Sequence, residues 1–212
     1  YFSLFKKYFK NDTSYAFEYT KYANCYRKLN RMKEYFAYID TGFQIANKKI
    51  NPGADQAQFY YMLSVNYSSN RNNDSSRFYL KKAIKALTDS KSDNYRIKYT
   101  VFRRIAYVEL YSENLILAEN YFNLAEENLL KSKHKESELA ILLQDKSSTL
   151  MLSNQYTQAI KQLKMALHIY SSDTSSSRTI RANINRYIGL SYKGLGRMNQ
   201  AIQYYKESLK LY

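Results

Sequence analysis

The side chains able to carry acid–base, nucleophilic or metal chemistry are few in this 212-residue chain and poorly spaced for it. Its two histidines are His134, in the charged stretch Lys131-Ser132-Lys133-His134-Lys135, and His168, between Leu167 and Ile169. Neither belongs to an H-x-x-x-H or H-E-x-x-H spacing, which on a helix would put two metal-binding groups on one face. The one cysteine, Cys25, can form no internal disulfide and has no C-x-x-C partner; its place in an amphipathic segment predicts a small buried apolar residue. A lone cysteine suits a reducing or an oxidising compartment, so cytoplasmic and periplasmic locations both fit. Glu126-Glu127 and Glu136 with Glu138 read as solvated charge on a helix surface rather than as a general acid and base. There is no P-loop and no G-x-S-x-G nucleophile elbow. The expectation is a binding protein rather than an enzyme, with no cofactor and no metal.

The elements that would present these residues follow from composition and periodicity. The chain has 5 Gly and 1 Pro, against roughly 15 and 10 in a chain of this length at average usage. Tight hairpins and Gly-rich phosphate loops draw on those residues, so sandwiches, barrels and nucleotide-binding folds are disfavoured. No stretch of about 18 apolar residues could span a membrane. Apolar residues recur every three to four positions, and that spacing predicts helices over 1–10, 14–29, 32–50, 55–69, 73–89, 94–111, 114–132, 135–152, 155–171, 176–194 and 198–212. Polar connections such as Asn51-Pro52-Gly53-Ala54-Asp55 separate them, and Ser, Asp and Asn there can cap the next helix.

The helices repeat. Ala201 is preceded at intervals of 42, 41, 42 and 41 residues by Ala159, Ala118, Ser76 and Tyr35. The first helix of each pair carries a small residue in the same phase: Ala23, Ser64, Ala106, Ser147 and Gly189. Ile188-Gly189, Tyr192, Ala201 and Tyr205, with Ala159, Leu163 and Ala166 and with Ala118, Phe122 and Ala125, resemble the tetratricopeptide repeat (TPR), in which helix A carries Leu-Gly and helix B carries Ala, an aromatic and Ala. Tyr35 and Gly42 in the first repeat and Ser76 in the second depart from that pattern, and the family's terminal Pro is absent. The resemblance implies an all-α, right-handed α-solenoid of about five helix-turn-helix repeats, near 14–50, 55–89, 94–132, 135–171 and 176–212. Residues 1–10 would be the tail of a truncated helix, and 1–212 a single array cut from a longer protein. A repeat of about 41.5 residues exceeds the family's usual 34 by about two helical turns. In that it resembles the long-helix sensor arrays of bacterial regulatory proteins.

In such an array helix A lines a groove. Counting three before, one after and four or five after the small residue gives the groove-facing positions. They are Thr20, Asn24, Arg27 and Lys28 in the first repeat; Tyr61, Val65, Ser68 and Ser69 in the second; Arg103, Tyr107, Leu110 and Tyr111 in the third; Gln144, Ser148, Met151 and Leu152 in the fourth; and Arg186, Leu190 and Lys193 in the fifth. Of these, Asn24, Arg27, Tyr61, Arg103, Tyr107, Tyr111, Gln144, Met151, Arg186 and Lys193 are the candidates for holding a peptide. Arginines offer forked donors to a carboxylate. Asn24 and Gln144 can bond a peptide backbone in both directions. The tyrosines and Met151 offer contact surface at small entropy cost.

The net charge of +15 is uneven. Residues 1–50, 51–100, 101–150, 151–200 and 201–212 carry +6, +4, −2, +6 and +1. The two basic ends favour acidic partners. A protein or peptide is the expected ligand. Nucleic acid, the alternative, would call for a continuous basic stripe. The oligomeric state is left open by the sequence.

Overall fold

The structure, a computed structural model, describes residues 16–50, 52–133, 136–170 and 175–212. Among these residues it is all helical. The helices are α1 (Ala16–Lys28), α2 (Met32–Ala46), α3 (Gly53–Ser69), α4 (Asn73–Asp89), α5 (Tyr95–Tyr111), α6 (Leu115–Lys131), α7 (Glu136–Leu152), α8 (Tyr156–Ile169), α9 (Ser175–Gly194) and α10 (Met198–Lys210). They form five helix pairs in the predicted phase, the arrangement of a TPR-like helical solenoid. The helix expected over 1–10 and His134 lie outside the described residues.

The close approach of each pair rests on the small-residue column. Ala23, Ser64, Ala106 and Ser147 are fully buried, and Gly189 is buried with them. The helix-B residues in phase are buried too: Tyr35, Ser76, Ala118, Ala159 and Ala201 at the first position, and Ile39, Leu80, Phe122 and Leu163 one turn on. Burying each of those large side chains stabilises the fold by about 1.5–3 kcal/mol. At Gly189 a Cβ would stand 2.7 Å from the Tyr205 ring. Tyr35 stands where the later repeats have a small residue, and its buried hydroxyl donates a 2.8 Å hydrogen bond to the Met62 carbonyl. Compensation comes at Gly42, where a Cβ would meet Phe59 at 2.5 Å and Tyr19 at 2.7 Å.

Each pair turns the same way. Asn30, Arg71, Glu113, Asn154 and Gly196 follow helix A with φ of 57, 58, 62, 57 and 71°. The next N–H in each turn (Arg31, Asn72, Asn114, Gln155, Arg197) reaches back five residues to a helix-A carbonyl at 2.8–3.0 Å. This is the Schellman closure, whose left-handed residue is ordinarily glycine. Here glycine fills it in the fifth pair, while Asn, Arg, Glu and Asn take the strained conformation in the other four.

The chain forms two units, residues 1–108 and 109–212. In the first, Ala16, Tyr19, Ala23, Tyr35, Ile39, Phe59 and Met62 make a core. An aromatic cluster flanks it. Tyr38 stacks on Tyr26 (ring centroids 5.0 Å apart, planes 14° from parallel), and Tyr79 stacks on Tyr67 (5.4 Å, 11°). In the second unit, α8 and α9 share a core of Ile160, Leu163, Tyr170, Ile184 and Ile188. There Tyr192 stacks on Tyr204 (5.4 Å, 21°), in the same phase as the pairs of the first unit. Lys164 lies 6.0 Å from both ring centroids. Burial draws its pKa down, but the two tyrosines outweigh that and lift it. The Tyr38 hydroxyl is pushed up to about 12, by burial first and then by its hydrogen bond with Tyr26.

Most helix boundaries differ from expectation by one or two residues, and two of the differences have a clear cause. α2 ends at Ala46 rather than at 50, because Ala46 is its last buried residue and Ile50 is fully exposed, so further turns would bury nothing. The Lys48 and Lys49 N–H groups bond three residues back and tighten the end. α3 begins at Gly53, where a Cβ would stand 1.9 Å from the Ser90 hydroxyl at the end of α4; glycine lets the two helix ends touch.

The turns predict a stability order. Arg71→Gly and Glu113→Gly should each raise the urea midpoint, by a gain of up to about 1 kcal/mol, since a left-handed conformation costs other L-residues about 1–2 kcal/mol. Gly196→Ala should lower stability by about 1 kcal/mol, a purely conformational cost because nothing lies within 4 Å of the added Cβ. The tyrosine stack predicts an alkaline transition. Tyr38 has its ordinary pKa of 10.0 when unfolded and about 12 when folded, so its contribution is whole below pH 10 and is lost as pH rises to about 12. The urea midpoint should fall across that window, and less in Tyr38→Phe.

Candidate functional site

The cleft in the first unit is built by two A helices. Thr20, Asn24 and Arg27 recur at i, i+4 and i+7 on α1, one face of a helix, and Lys21 stands beside them. Gln58, Tyr61, Met62 and Val65 recur with the same period on α3. Together these eight residues enclose a cleft of about 320 Å³. Ala23 and Ser64, both fully buried, seat the two helices on their B partners along the face that adjoins the cleft. The counting rule thus places Asn24, Arg27 and Tyr61, with Thr20 and Val65, in one site.

The polar groups of the cleft are ordered. The Arg27 guanidinium donates twice to the Asn24 side-chain oxygen, from Nε at 3.3 Å and from Nη2 at 3.1 Å. That fixes both side chains and leaves the Asn24 amide nitrogen as a donor. Lys21 pairs with Glu18 at 2.7 Å on the outer rim. Below the cleft, Tyr35 holds the Met62 carbonyl through its hydroxyl, whose pKa burial raises while Arg27 pulls against the rise. The cleft therefore joins two cations (Arg27 and, at its rim, Lys21), amide and hydroxyl groups, and the apolar faces of Tyr61, Met62 and Val65. Such a mixture holds a carboxylate-bearing or amide-bearing chain and orients it.

Lys21, Gln58 and Met62 escaped the counting rule. They stand two or six positions before the small residue, so extending the count by a turn toward the helix N-terminus would have included them. Tyr35 was read as a degenerate repeat position; its role is to brace Met62, through a contact 27 residues away in sequence.

The remaining candidates lie elsewhere. On α5, Arg103 rests over the Tyr107 ring at 5.7 Å and both are half-buried, whereas Tyr111 at the helix end is exposed. Leu110, which the count places among the groove-facing positions, is buried. On α7, Gln144 and Met151 are half-buried, and the Gln144 backbone carbonyl accepts from the Ser147 hydroxyl at 2.6 Å. On α9, Arg186 and Lys193 are exposed, and the Arg186 guanidinium sits 4.5 Å from the Tyr187 ring centroid. Cys25 is exposed, not buried: two residues beyond Ala23 the helix has turned by about 200°, away from the core. His168 is exposed on α8. Among the described residues, no group of three His, Cys, Asp or Glu could hold a metal ion. No described helix is long and apolar enough to cross a membrane.

Residues 57–86 and 188–212 match the family described as Tetratricopeptide repeat. A comparison with curated protein sequences gives no match. Among solved structures, BtubC (BKLC) from P. vanneervenii is 14% identical, with a TM-score of 0.81 over 89% of this chain and 76% of that one. A putative kinesin light chain of TPR-like repeats from P. anserina is 12% identical, with a TM-score of 0.74 over 94% and 95%. YrrB, a TPR protein with an unusual peptide-binding site, is 16% identical, with a TM-score of 0.62 over 98% and 91%. Two of the five helix pairs carry the family's sequence signature and all five keep its register: the chain carries tetratricopeptide repeats on a TPR-like helical fold, a protein-binding class of repeat.

Proposed function

We propose that this chain is the sensory or scaffolding part of a bacterial transcriptional or signalling regulator, without catalytic activity of its own. Its five repeats act as one array that captures an extended peptide segment carrying an acidic group. The observation that carries this reading is the α1–α3 cleft, where Asn24, Arg27 and Tyr61 converge. Arg27 offers guanidinium donors to a carboxylate, and the Asn24 amide bonds a peptide carbonyl. Tyr61, Met62 and Val65 take an apolar side chain. The cleft volume lies at the lower end of the ~300–1,000 Å³ usual for ligand sites, which suits one or two peptide residues rather than a folded partner. The similarity to YrrB, described by its peptide-binding site, points the same way, as does the resemblance of the long repeat to regulator sensor arrays.

The nucleic-acid reading draws on the basic C-terminal part of the chain, and salt separates the two. A peptide selected from a random library on the immobilised protein should lose at least tenfold in affinity in Asn24→Ala and in Tyr61→Ala. From 50 to 200 mM salt its affinity should fall only a few fold, against the order of 10³ expected of about six phosphate contacts. Unchanged binding in both variants, or the steep salt dependence, would overturn the cleft as the site. The regulatory part requires an output module encoded next to the array; a complete gene without one contradicts it.

A further inference from the structure

A second surface stands out on α6. Its buried side holds Ala118, Phe122, Ala125 and Leu129. Away from that side it exposes Ile116 (81%), Leu117 (41%) and Leu124 (38%). The repeat register supplies the control. Ile116 corresponds to Lys33, Asp74, Thr157 and Asn199 in the other four repeats, Leu117 to Glu34, Ser75, Gln158 and Gln200, and Leu124 to Thr41, Lys82, Met165 and Glu207. Met165 apart, these positions are polar in every other repeat; on α6 all three are aliphatic. α7 to α10 follow α6 in the same unit, so this face is not one bared by the end of the chain. Aliphatic side chains held in water where the fold needs none mark an interaction site. Beside Ile116 and Leu117 the surface is concave: Glu113, Asn120 and, just past the end of α7, Ser153 close with them a cleft of about 720 Å³, well inside the ~300–1,000 Å³ usual for ligand sites.

Charge identifies the occupant. Among the described residues no Lys or Arg lines the cleft, and its one charged group is Glu113. α6 itself carries Glu119, Glu126 and Glu127 against Lys131, a local reversal in a chain of net charge +15. Lys146 offsets Glu126 and Lys131 offsets Glu127, each at 2.5 Å. Glu113 and Glu119, three residues to either side of Ile116, are exposed. Charge opposes a second copy as the occupant: like faces would set Glu113 and Glu119 against each other, and any other contact joins two bodies of charge +15. We propose that this α6 face docks an amphipathic helix of a basic partner polypeptide. A large aliphatic side chain of that helix fills the cleft, and Lys or Arg beside it meet Glu113 and Glu119.

The test uses the whole chain and two labelled amphipathic peptides of about five helical turns in fluorescence anisotropy. One is built of Leu and Lys, the other of Leu and Gln, with Leu at the same helical positions in both. Net charge alone would repel the Leu/Lys peptide and favour the neutral one. The Leu/Lys peptide should instead bind the more tightly, by at least about tenfold. Its affinity should fall by a similar factor in Ile116→Asn and in the double variant Glu113→Gln with Glu119→Gln. It should stay unchanged in Leu209→Asn, which alters an exposed leucine on α10. All the altered side chains are exposed, so circular dichroism should show native helicity. Absent binding, equal or tighter binding of the Leu/Gln peptide, insensitivity to the α6 substitutions, or an equal loss in Leu209→Asn would overturn the proposal. So would sedimentation equilibrium showing a dimer that Ile116→Asn dissolves, since the occupant would then be a second copy.

Discussion

Helices A and B of each pair can approach closely only where one of them lacks a side chain of any size. Ala23, Ser64, Ala106, Ser147 and Gly189 supply that gap, and the turn that follows always comes seven residues later, at a left-handed residue. The gap fixes the rotation of helix A, and the rotation decides which residues face outward. Asn24, one residue past the gap, and Arg27, four past it, have no choice of direction once Ala23 is seated. The α1–α3 cleft is therefore a consequence of packing on the adjoining face. Its polar residues need no loop to position them, and the Arg27–Asn24 pair is held on a rigid helix, where orientation costs a ligand little entropy.

The same repetition explains how the chain manages with so little glycine. Four of its five A–B turns place Asn, Arg or Glu in a conformation that glycine adopts freely, and the Schellman hydrogen bond compensates for the strain in each. The stacked tyrosine pairs fall into the register as well. Tyr26 on Tyr38, Tyr67 on Tyr79 and Tyr192 on Tyr204 occupy one phase, while Glu109 with Tyr121 and Leu150 with Gln162 take those positions in the third and fourth pairs. These three pairs put six of the 24 tyrosines to holding helix A against helix B.

Much of this was legible beforehand. α4 spans the residues its periodicity indicated, 73–89, because Ser76, Leu80, Ala83 and Leu87 form an uninterrupted buried stripe. Three of the eight cleft residues named as peptide candidates followed from counting along α1 and α3, because the small residue sets the phase of the whole helix. What escaped depends on contacts distant in sequence. The Tyr35 hydroxyl meets a carbonyl 27 residues away, and its departure from the repeat pattern looked like decay. The early start of α3 follows from how Gly53 meets Ser90, 37 residues on, and the premature end of α2 from the loss of burial past Ala46. Cys25 is misplaced for a simpler reason, residue type weighed above helical phase, whereas Leu110 is placed by phase alone and its apolar side chain is buried.

If the small-residue gap governs the register, Gly189 and Tyr205 must be energetically coupled, and a double-mutant cycle measures that coupling. Alanine is favoured over glycine inside a helix by about 1 kcal/mol, so Gly189→Ala would stabilise α9 if nothing stood in its way. With the Tyr205 ring 2.7 Å from the new Cβ, the substitution should instead destabilise the protein, by about 1–3 kcal/mol. In the Tyr205→Leu background the same change should become neutral or stabilising, giving a coupling energy of at least about 1 kcal/mol. Additive effects within about 0.5 kcal/mol would contradict the account, because the register would then be set by something other than this contact.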